Sequence, residues 1–429
     1  MSDSANTDGT GVARVADVAG LGAAAVDAAG AAGWRRGAGV AGAAIGVVAA
    51  GAAVGVAVER LTVGRGVRRK ARLALDSMGP YGTLRGRPGR AAAEDGTELY
   101  YEVDEVEDAS ADAPADASVD DREPLLKRIF GRRTPPPVTV VFSHGYCLGQ
   151  DAWHFQRAAL RGAVRTVFWD QRSHGRSERG RSQLDGSVPV SIDLLGRDLK
   201  AVIDAAAPEG PLVLVGHSMG GMTMMALAAQ YPELIAERVV GAAFVSTSSG
   251  GLAANTYGLP AAGMSVVRRV LPGVFKVMTA QPELVERGRR ATADLFAGLI
   301  RRYSFGSRDV DPAVTRFAER LLEATPVDIV AEFYQVFAEH DKVQALCTFA
   351  DLPVVVIGGE KDLMIPSAHS EAIAEVLPGA RLVLLPGVGH LPMLEQPEVV
   401  SGCLTELLEA AGTDAGASRE QVRAGRRRV

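Results

Sequence analysis

Short apolar runs alternate with amphipathic stretches along most of the chain beyond residue 84. These runs are typical of strands buried on both faces of a parallel sheet; they cover 138–143, 164–169, 211–215, 239–245, 354–358 and 382–385. Residues 92–103 predict an antiparallel hairpin that turns at Asp95 and Gly96. The order of these elements predicts an α/β fold with a mostly parallel, doubly wound sheet.

One long segment, 252–350, interrupts the alternation of strands and helices. Its apolar residues recur at helical spacing, with amphipathic patterns at 291–302, 314–323 and 327–337. We predict a helical lid that divides the core into residues 84–251 and 351–411. A lid of this kind excludes water from a site and shapes the pocket beneath it.

The N-terminal part contains a second kind of apolar run. Residues 37–58 consist of Gly, Ala, Val and one Ile, and 22 residues are long enough to cross a bilayer. We predict a transmembrane helix here, preceded by a disordered leader at 1–36 and followed by a basic juxtamembrane segment at 59–83. Two alternatives stay open: an export signal of the twin-arginine type, and a soluble leader.

The charges that flank this run predict its orientation. Arg35 and Arg36 precede it, whereas six basic residues follow it between Arg60 and Arg72. Because basic residues are enriched on the cytoplasmic side of membrane spans, the rest of the chain is predicted to lie in the cytoplasm. An exported protein is the alternative.

Composition narrows the function classes. The net charge of −5 gives no support for nucleic-acid binding. Three distant cysteines (Cys147, Cys347 and Cys403) match no disulfide framework or zinc motif, and the histidines show no metal-ligand spacing, so we predict no metal and no cofactor. The wealth of Ala, Gly and Arg resembles an actinobacterial composition. The acidic stretch 104–123 and the polar tail 412–429 are predicted to be disordered.

The most informative motif is G-H-S-M-G, with Ser218 at its centre, directly after the apolar run 211–215. A strand, this motif and a helical pattern together predict a nucleophile elbow, a sharp turn that exposes the serine hydroxyl. Asp362 and His390 each follow a later apolar run. Because the carboxyl ends of parallel strands share one sheet edge, these three side chains are predicted to meet there.

This combination of residue types is suited to nucleophilic catalysis. The imidazole of His390 takes the proton from Ser218, and the carboxylate of Asp362 orients the ring and stabilises its charged form. Glu360 and Glu395 are the neighbouring acids; Glu395 is predicted to cap backbone N–H groups at a helix start. The backbone N–H groups of Tyr146 and Met219 are the predicted oxyanion-hole donors.

The motifs together resemble the α/β-hydrolase superfamily, in its lid-bearing branch of serine hydrolases and esterases. The matching blocks are H-G-Y at 144–146, Trp153, D-Q-R-S-H-G-R-S at 170–177, G-H-S-M-G-G at 216–221, and the blocks that hold Asp362 and His390. The family usually has Gly where this chain has Ser173, which affects only the local turn. The resemblance covers about residues 84–411 and implies the α/β-hydrolase fold and hydrolytic chemistry.

We therefore predict a membrane-bound hydrolase of small-molecule carboxylic esters, among which esters of lipid-like or apolar acids are one option. The same triad leaves thioesterase, C–C hydrolase and perhydrolase activities open. A dehalogenase or epoxide hydrolase with an Asp nucleophile is disfavoured, because the elbow residue is Ser218. The alternative from another class is a non-catalytic, membrane-bound binding module.

Overall fold

The computed structural model describes residues 81–106, 137–283, 285 and 293–426. They contain an eight-stranded sheet in the order β1-β2-β4-β3-β5-β6-β7-β8. Strands β1 and β2 form an antiparallel pair, β2 pairs antiparallel with β4, and all other neighbours are parallel. The strands are β1 (Arg87–Ala92), β2 (Glu98–Asp104), β3 (Thr139–Ser143), β4 (Arg165–Trp169), β5 (Leu212–His217), β6 (Val239–Val245), β7 (Val354–Gly359) and β8 (Arg381–Leu385).

Helices connect these strands and cover both faces of the sheet. They are α1 (His154–Leu160), α2 (Arg181–Asp185), α3 (Ile192–Ala206), α4 (Met219–Gln230), α5 (Pro232–Arg238), α6 (Ala261–Ala280), α7 (Ala293–Ser304), α8 (Pro312–Glu323), α9 (Val327–Tyr334), α10 (Ser367–Val376), α11 (Pro392–Glu395) and α12 (Pro397–Arg426). The predicted mostly parallel α/β architecture is thereby confirmed.

The apolar runs form strands because their side chains alternate between two helical layers. In β5, Leu212 and Leu214 pack into a cluster with residues of α3 and α4. Val213 and Val215 face the opposite layer and join residues of α1 and α12. All six residues of β5 are buried, as expected for a central parallel strand. This buried strand carries the G-H-S-M-G turn at its carboxyl end.

The predicted hairpin forms from β1 and β2, and its second strand corrects one boundary. The sequence pattern places Asp104 in the disordered acidic segment 104–123, but this residue is the last of β2 and is buried. Its carboxylate accepts two hydrogen bonds from the buried Arg157 guanidinium, at 2.7 and 2.9 Å. A buried charge needs such a partner, so this ion pair holds the end of β2 in place. Residues 107–136 lie outside the described part.

The segment 252–350 is largely helical, as predicted, and contains α6, α7, α8 and α9. The last part of this segment does not belong to a separate lid, because it packs into the core of the sheet. Leu346 and Phe349 lie in a short 3₁₀ helix and are fully buried in the core cluster on the α3–α4 face of the sheet. Phe317 of α8 is buried in the opposite cluster. The lid therefore shares its hydrophobic core with the sheet.

The sequence predicts a membrane anchor near the N-terminal end and a disordered tail at the C-terminal end. The predicted disordered tail begins at residue 412, but the backbone of α12 continues as a helix to Arg426. The leader 1–36, the membrane span 37–58 and most of the basic segment 59–83 lie outside the described residues. Among the helices that the structure does describe, none is long and apolar enough to cross a membrane.

Candidate active site

Ser218 occupies a sharp turn between β5 and α4. Its backbone has φ 51° and ψ −117°, a conformation that costs energy for a residue with a side chain. The flanking glycines are sterically required. A Cβ atom on Gly216 would lie 2.6 Å from the backbone of Gly220, and a Cβ on Gly220 would lie 2.2 Å from the carbonyl oxygen of Ser143. The chain can therefore reverse direction tightly enough to lift the serine above the sheet edge.

The structure brings Ser218, Asp362 and His390 together in one hydrogen-bonded series. Nε2 of His390 lies 3.1 Å from Oγ of Ser218, and Nδ1 lies 2.7 Å from Oδ2 of Asp362. These distances fall within hydrogen-bonding range. The His390 side chain is 12% exposed, whereas that of Asp362 is fully buried. A substrate can thus approach the serine and the histidine, while the carboxylate stays out of water.

The Asp362 carboxylate is fixed on both of its oxygens. Oδ1 accepts hydrogen bonds from the backbone N–H groups of Met364 and Ile365, each at 2.8 Å. Oδ2 is left to accept from Nδ1 of His390. With the proton of the neutral imidazole on Nδ1, Nε2 faces the serine as an acceptor. The arrangement therefore selects the tautomer that can take a proton from Ser218.

The predicted oxyanion donors lie on two adjacent turns. Met219 begins α4, where the first N–H groups have no carbonyl partner within the helix. Tyr146 lies in the turn after β3, and a Cβ on its neighbour Gly145 would stand 3.2 Å from Cβ of Ser218. Within the described residues, the N–H groups of Tyr146 and Met219 donate to no other backbone group. Both remain available to a negatively charged oxygen beside the serine.

A comparison of the chain with models of protein families agrees with this fold and this site geometry. The model of the alpha/beta hydrolase family matches residues 140–402, which is more than half of the chain. The chain belongs to the alpha/beta hydrolase family. The resemblance drawn from the sequence motifs is confirmed, and the family match together with esterase relatives supports a hydrolase enzyme.

Three similar proteins illustrate what this chain resembles. Pimeloyl-[acyl-carrier protein] methyl ester esterase of Aromatoleum aromaticum is 27% identical over 264 residues, covering 60% of this chain and 93% of that protein. A thermophilic esterase from Thermogutta terrifontis has a TM-score of 0.54 at 21% identity, over 76% and 99% of the two chains. The enol-lactonase from Burkholderia xenovorans LB400 has a TM-score of 0.53 at 22% identity, over 75% and 100%. The two structural matches show a shared fold.

Three other histidines of the hydrolase lie near this edge but remain neutral. Burial lowers the pKa of His144 to about 4 and that of His174 to about 3, and it lowers the pKa of His217 well below its usual value. His217 instead supports the site, because its Nε2–H donates to the carbonyl oxygen of His390 at 2.8 Å. His144 accepts the backbone N–H of Gln171 and so fixes the loop after β4.

Ser173 is the one departure from the usual motifs, and the structure explains how it fits. Its φ of 65° lies in the left-handed region, which favours glycine. Its hydroxyl donates to Oε1 of Gln183 at 2.9 Å and accepts the N–H of Gly180 at 3.1 Å. These hydrogen bonds offset part of the backbone cost, so the turn keeps its shape.

Glu395 has a role that the sequence predicted only in part. Its carboxylate does bind backbone N–H groups, but not those of a helix start. It accepts from Gly389, directly before His390, at 2.8 Å, and from Gly306 and Ser307, which follow α7, at 2.7 to 3.1 Å. Glu395 therefore ties the histidine loop to the lid. Only the spacing between Glu395 and His390 is visible in sequence, since Gly306 and Ser307 are distant in the chain.

Across the residues that the structure describes, no cluster of three His, Cys, Asp or Glu side chains could hold a metal ion. Cys147, beside the predicted oxyanion donor Tyr146, is buried with a positive φ of 59°. The chemistry that the arrangement supports rests on the hydrogen-bonded serine, histidine and acid.

Proposed function

We propose that this alpha/beta hydrolase cleaves carboxylic esters through a covalent acyl-enzyme on Ser218. The observation that carries the proposal is the hydrogen-bonded series Ser218–His390–Asp362, with 3.1 and 2.7 Å between its partners. A serine hydroxyl is a weak nucleophile until a base removes its proton, and Nε2 of His390 is positioned to do so. The buried carboxylate stabilises the imidazolium that forms.

The reaction proceeds in two halves. Oγ of Ser218 forms a bond to the ester carbonyl carbon while its proton moves to Nε2 of His390. The N–H groups of Tyr146 and Met219 bind the resulting oxyanion. His390 then gives this proton to the leaving alkoxide, and the ester C–O bond breaks. Next, His390 takes a proton from water, which attacks the acyl-enzyme, and the acid and the free serine are regenerated.

Esters are favoured over the other substrates of such a triad because the similar proteins include two described as esterases. A thioesterase, a C–C hydrolase and a perhydrolase would use the same three residues. A panel of p-nitrophenyl esters of graded chain length, with a matched acyl thioester beside it, tests the choice. We expect the enzyme to hydrolyse the esters faster than the thioester. We also expect a low KM for the esters of one particular acyl length. Hydrolysis of the thioester alone would contradict the proposal.

We also propose that residues 37–58 anchor the enzyme in the cytoplasmic membrane, with the catalytic part inside the cell. The support is the uncharged run of 22 residues and the excess of basic residues after it. Protease added to intact spheroplasts should leave the catalytic part uncut, and detergent should expose it. Recovery of a mature protein beginning after residue 58 from the medium would instead favour export.

A further inference from the structure

A cleft of about 530 Å³ opens between lid helix α6 and the end of α9. Most of its walls are apolar, with contributions from Leu252, Met264, Leu271, Phe275 and Phe337. Phe275 also packs against the ring of Tyr334, with 4.8 Å between the ring centroids. Apolar walls of this kind favour the methylene groups of a ligand over water.

The cleft lies beside the active site. Phe337 forms one wall, and its ring packs edge-on against Tyr146 with 5.1 Å between the centroids. Asn255 forms another wall and donates a hydrogen bond to the carbonyl oxygen of Met364. The N–H of Met364 in turn binds the Asp362 carboxylate. One layer of side chains therefore lies between the cleft and both the oxyanion turn and the acid loop.

Two cations of α6 also line the cleft. Arg268 and Lys276 are eight residues apart, so about 12 Å separates their positions along the helix axis. Neither forms an ion pair with an acidic side chain in the described part of the chain. Arg268 donates to the carbonyl oxygen of Ala253 at 2.7 Å, and its guanidinium has further N–H groups free to bind a ligand. Glu339 is the single acid among the described lining residues, so the described walls of the cleft carry a net positive charge.

We infer that this cleft binds the part of the ester substrate remote from the scissile bond, and that Arg268 and Lys276 select substrates with an anionic end group. The inference rests on the proposed ester hydrolysis and names its substrate class: esters of an apolar chain that ends in a carboxylate or a phosphate. Apolar walls alone would accept any acyl chain, whereas the two cations make a neutral chain end the poorer ligand. A guanidinium binds either anion through paired N–H groups.

The test compares three p-nitrophenyl esters of equal acyl length that end in a methyl group, a carboxylate or a phosphate. The wild-type enzyme should show a higher kcat/KM for the anionic esters, and added salt should reduce this preference because it screens exposed charges. In Arg268→Gln and Lys276→Gln, kcat/KM for the anionic esters should fall several-fold to about tenfold, mainly through KM. The neutral ester should be unaffected. The anionic ester whose kcat/KM falls more in these variants identifies the anion that the cleft prefers.

Arg269→Gln is the matched control, because Arg269 is the exposed neighbour of Arg268 and does not line the cleft. It removes the same charge and should leave the preference unchanged. An equal loss in this control, or an equal loss for neutral and anionic esters in the Arg268 and Lys276 variants, would overturn the inference. So would wild-type hydrolysis of the neutral ester, dependent on Ser218, without any preference for the anionic ones. Failure to cleave any of the three esters would overturn the proposed function as well.

Discussion

Ser218→Ala should lower ester hydrolysis by about 10⁴-fold or more while the protein stays folded. The substitution removes one hydroxyl, and no acyl-enzyme can form without it. Among the described residues, the hydroxyl makes a single hydrogen bond to a side chain, that of His390, so its removal leaves the strand and the turn in place. Initial rates on a p-nitrophenyl ester measure the loss, and thermal unfolding checks the fold.

Ser246→Ala is the matched control for this prediction. Ser246 follows the neighbouring strand β6, is buried, and has a positive φ of 44°, as Ser218 has. Its hydroxyl has no hydrogen-bond partner among the described residues. We expect this variant to keep nearly full activity. If Ser218→Ala hydrolysed esters at close to the wild-type rate, Ser218 would not be the nucleophile.

Asp362→Asn should lower kcat by about 10²- to 10⁴-fold. The N–H groups of Met364 and Ile365 bind one oxygen of Asp362, and the amide oxygen of asparagine would take that position. Its NH₂ group would then face Nδ1 of His390. Because this NH₂ group donates, Nδ1 would have to accept and the ring proton would move to Nε2. Nε2 could then no longer take the proton of Ser218.

The neighbouring acids provide the comparison for Asp362. Glu360→Gln should cost less than about tenfold in kcat, because this side chain is exposed on the loop after β7. Glu395→Gln should also cost less than about tenfold, because the amide oxygen still accepts N–H groups from the histidine loop. A mild loss of kcat in Asp362→Asn, together with a severe loss of kcat in Glu360→Gln or Glu395→Gln, would mean that this glutamate is the acid of the triad.

The positions of Asp362 and His390 beside Ser218 could be predicted from the geometry of parallel strands. Asp362 and His390 each follow an apolar run, and the carboxyl ends of parallel strands meet at one edge. Sequence order was therefore enough to place these side chains beside Ser218. The family membership and the mostly parallel sheet followed from the same motifs and are confirmed. The catalytic roles of the three residues are proposals that the variants above test.

Features that depend on packing between distant segments could not be predicted. Asp104 looked like part of an acidic run, but its burial depends on Arg157, more than fifty residues away. The link from Glu395 to Gly306 and the charged cleft along α6 depend on how the lid meets the core. Periodicity locates the helices of a lid, but it does not say which of their faces meet.

Reaction of this chain with a fluorophosphonate, followed by intact mass and peptide mapping, tests most directly whether Ser218 is an activated nucleophile. Such a reagent forms a covalent bond with a serine that a neighbouring base activates. If Ser218 is the nucleophile, we expect one adduct per chain, on the peptide that contains Ser218, and no adduct in Ser218→Ala. An unreacted wild-type protein, or an adduct that persists in Ser218→Ala, would contradict this role of Ser218.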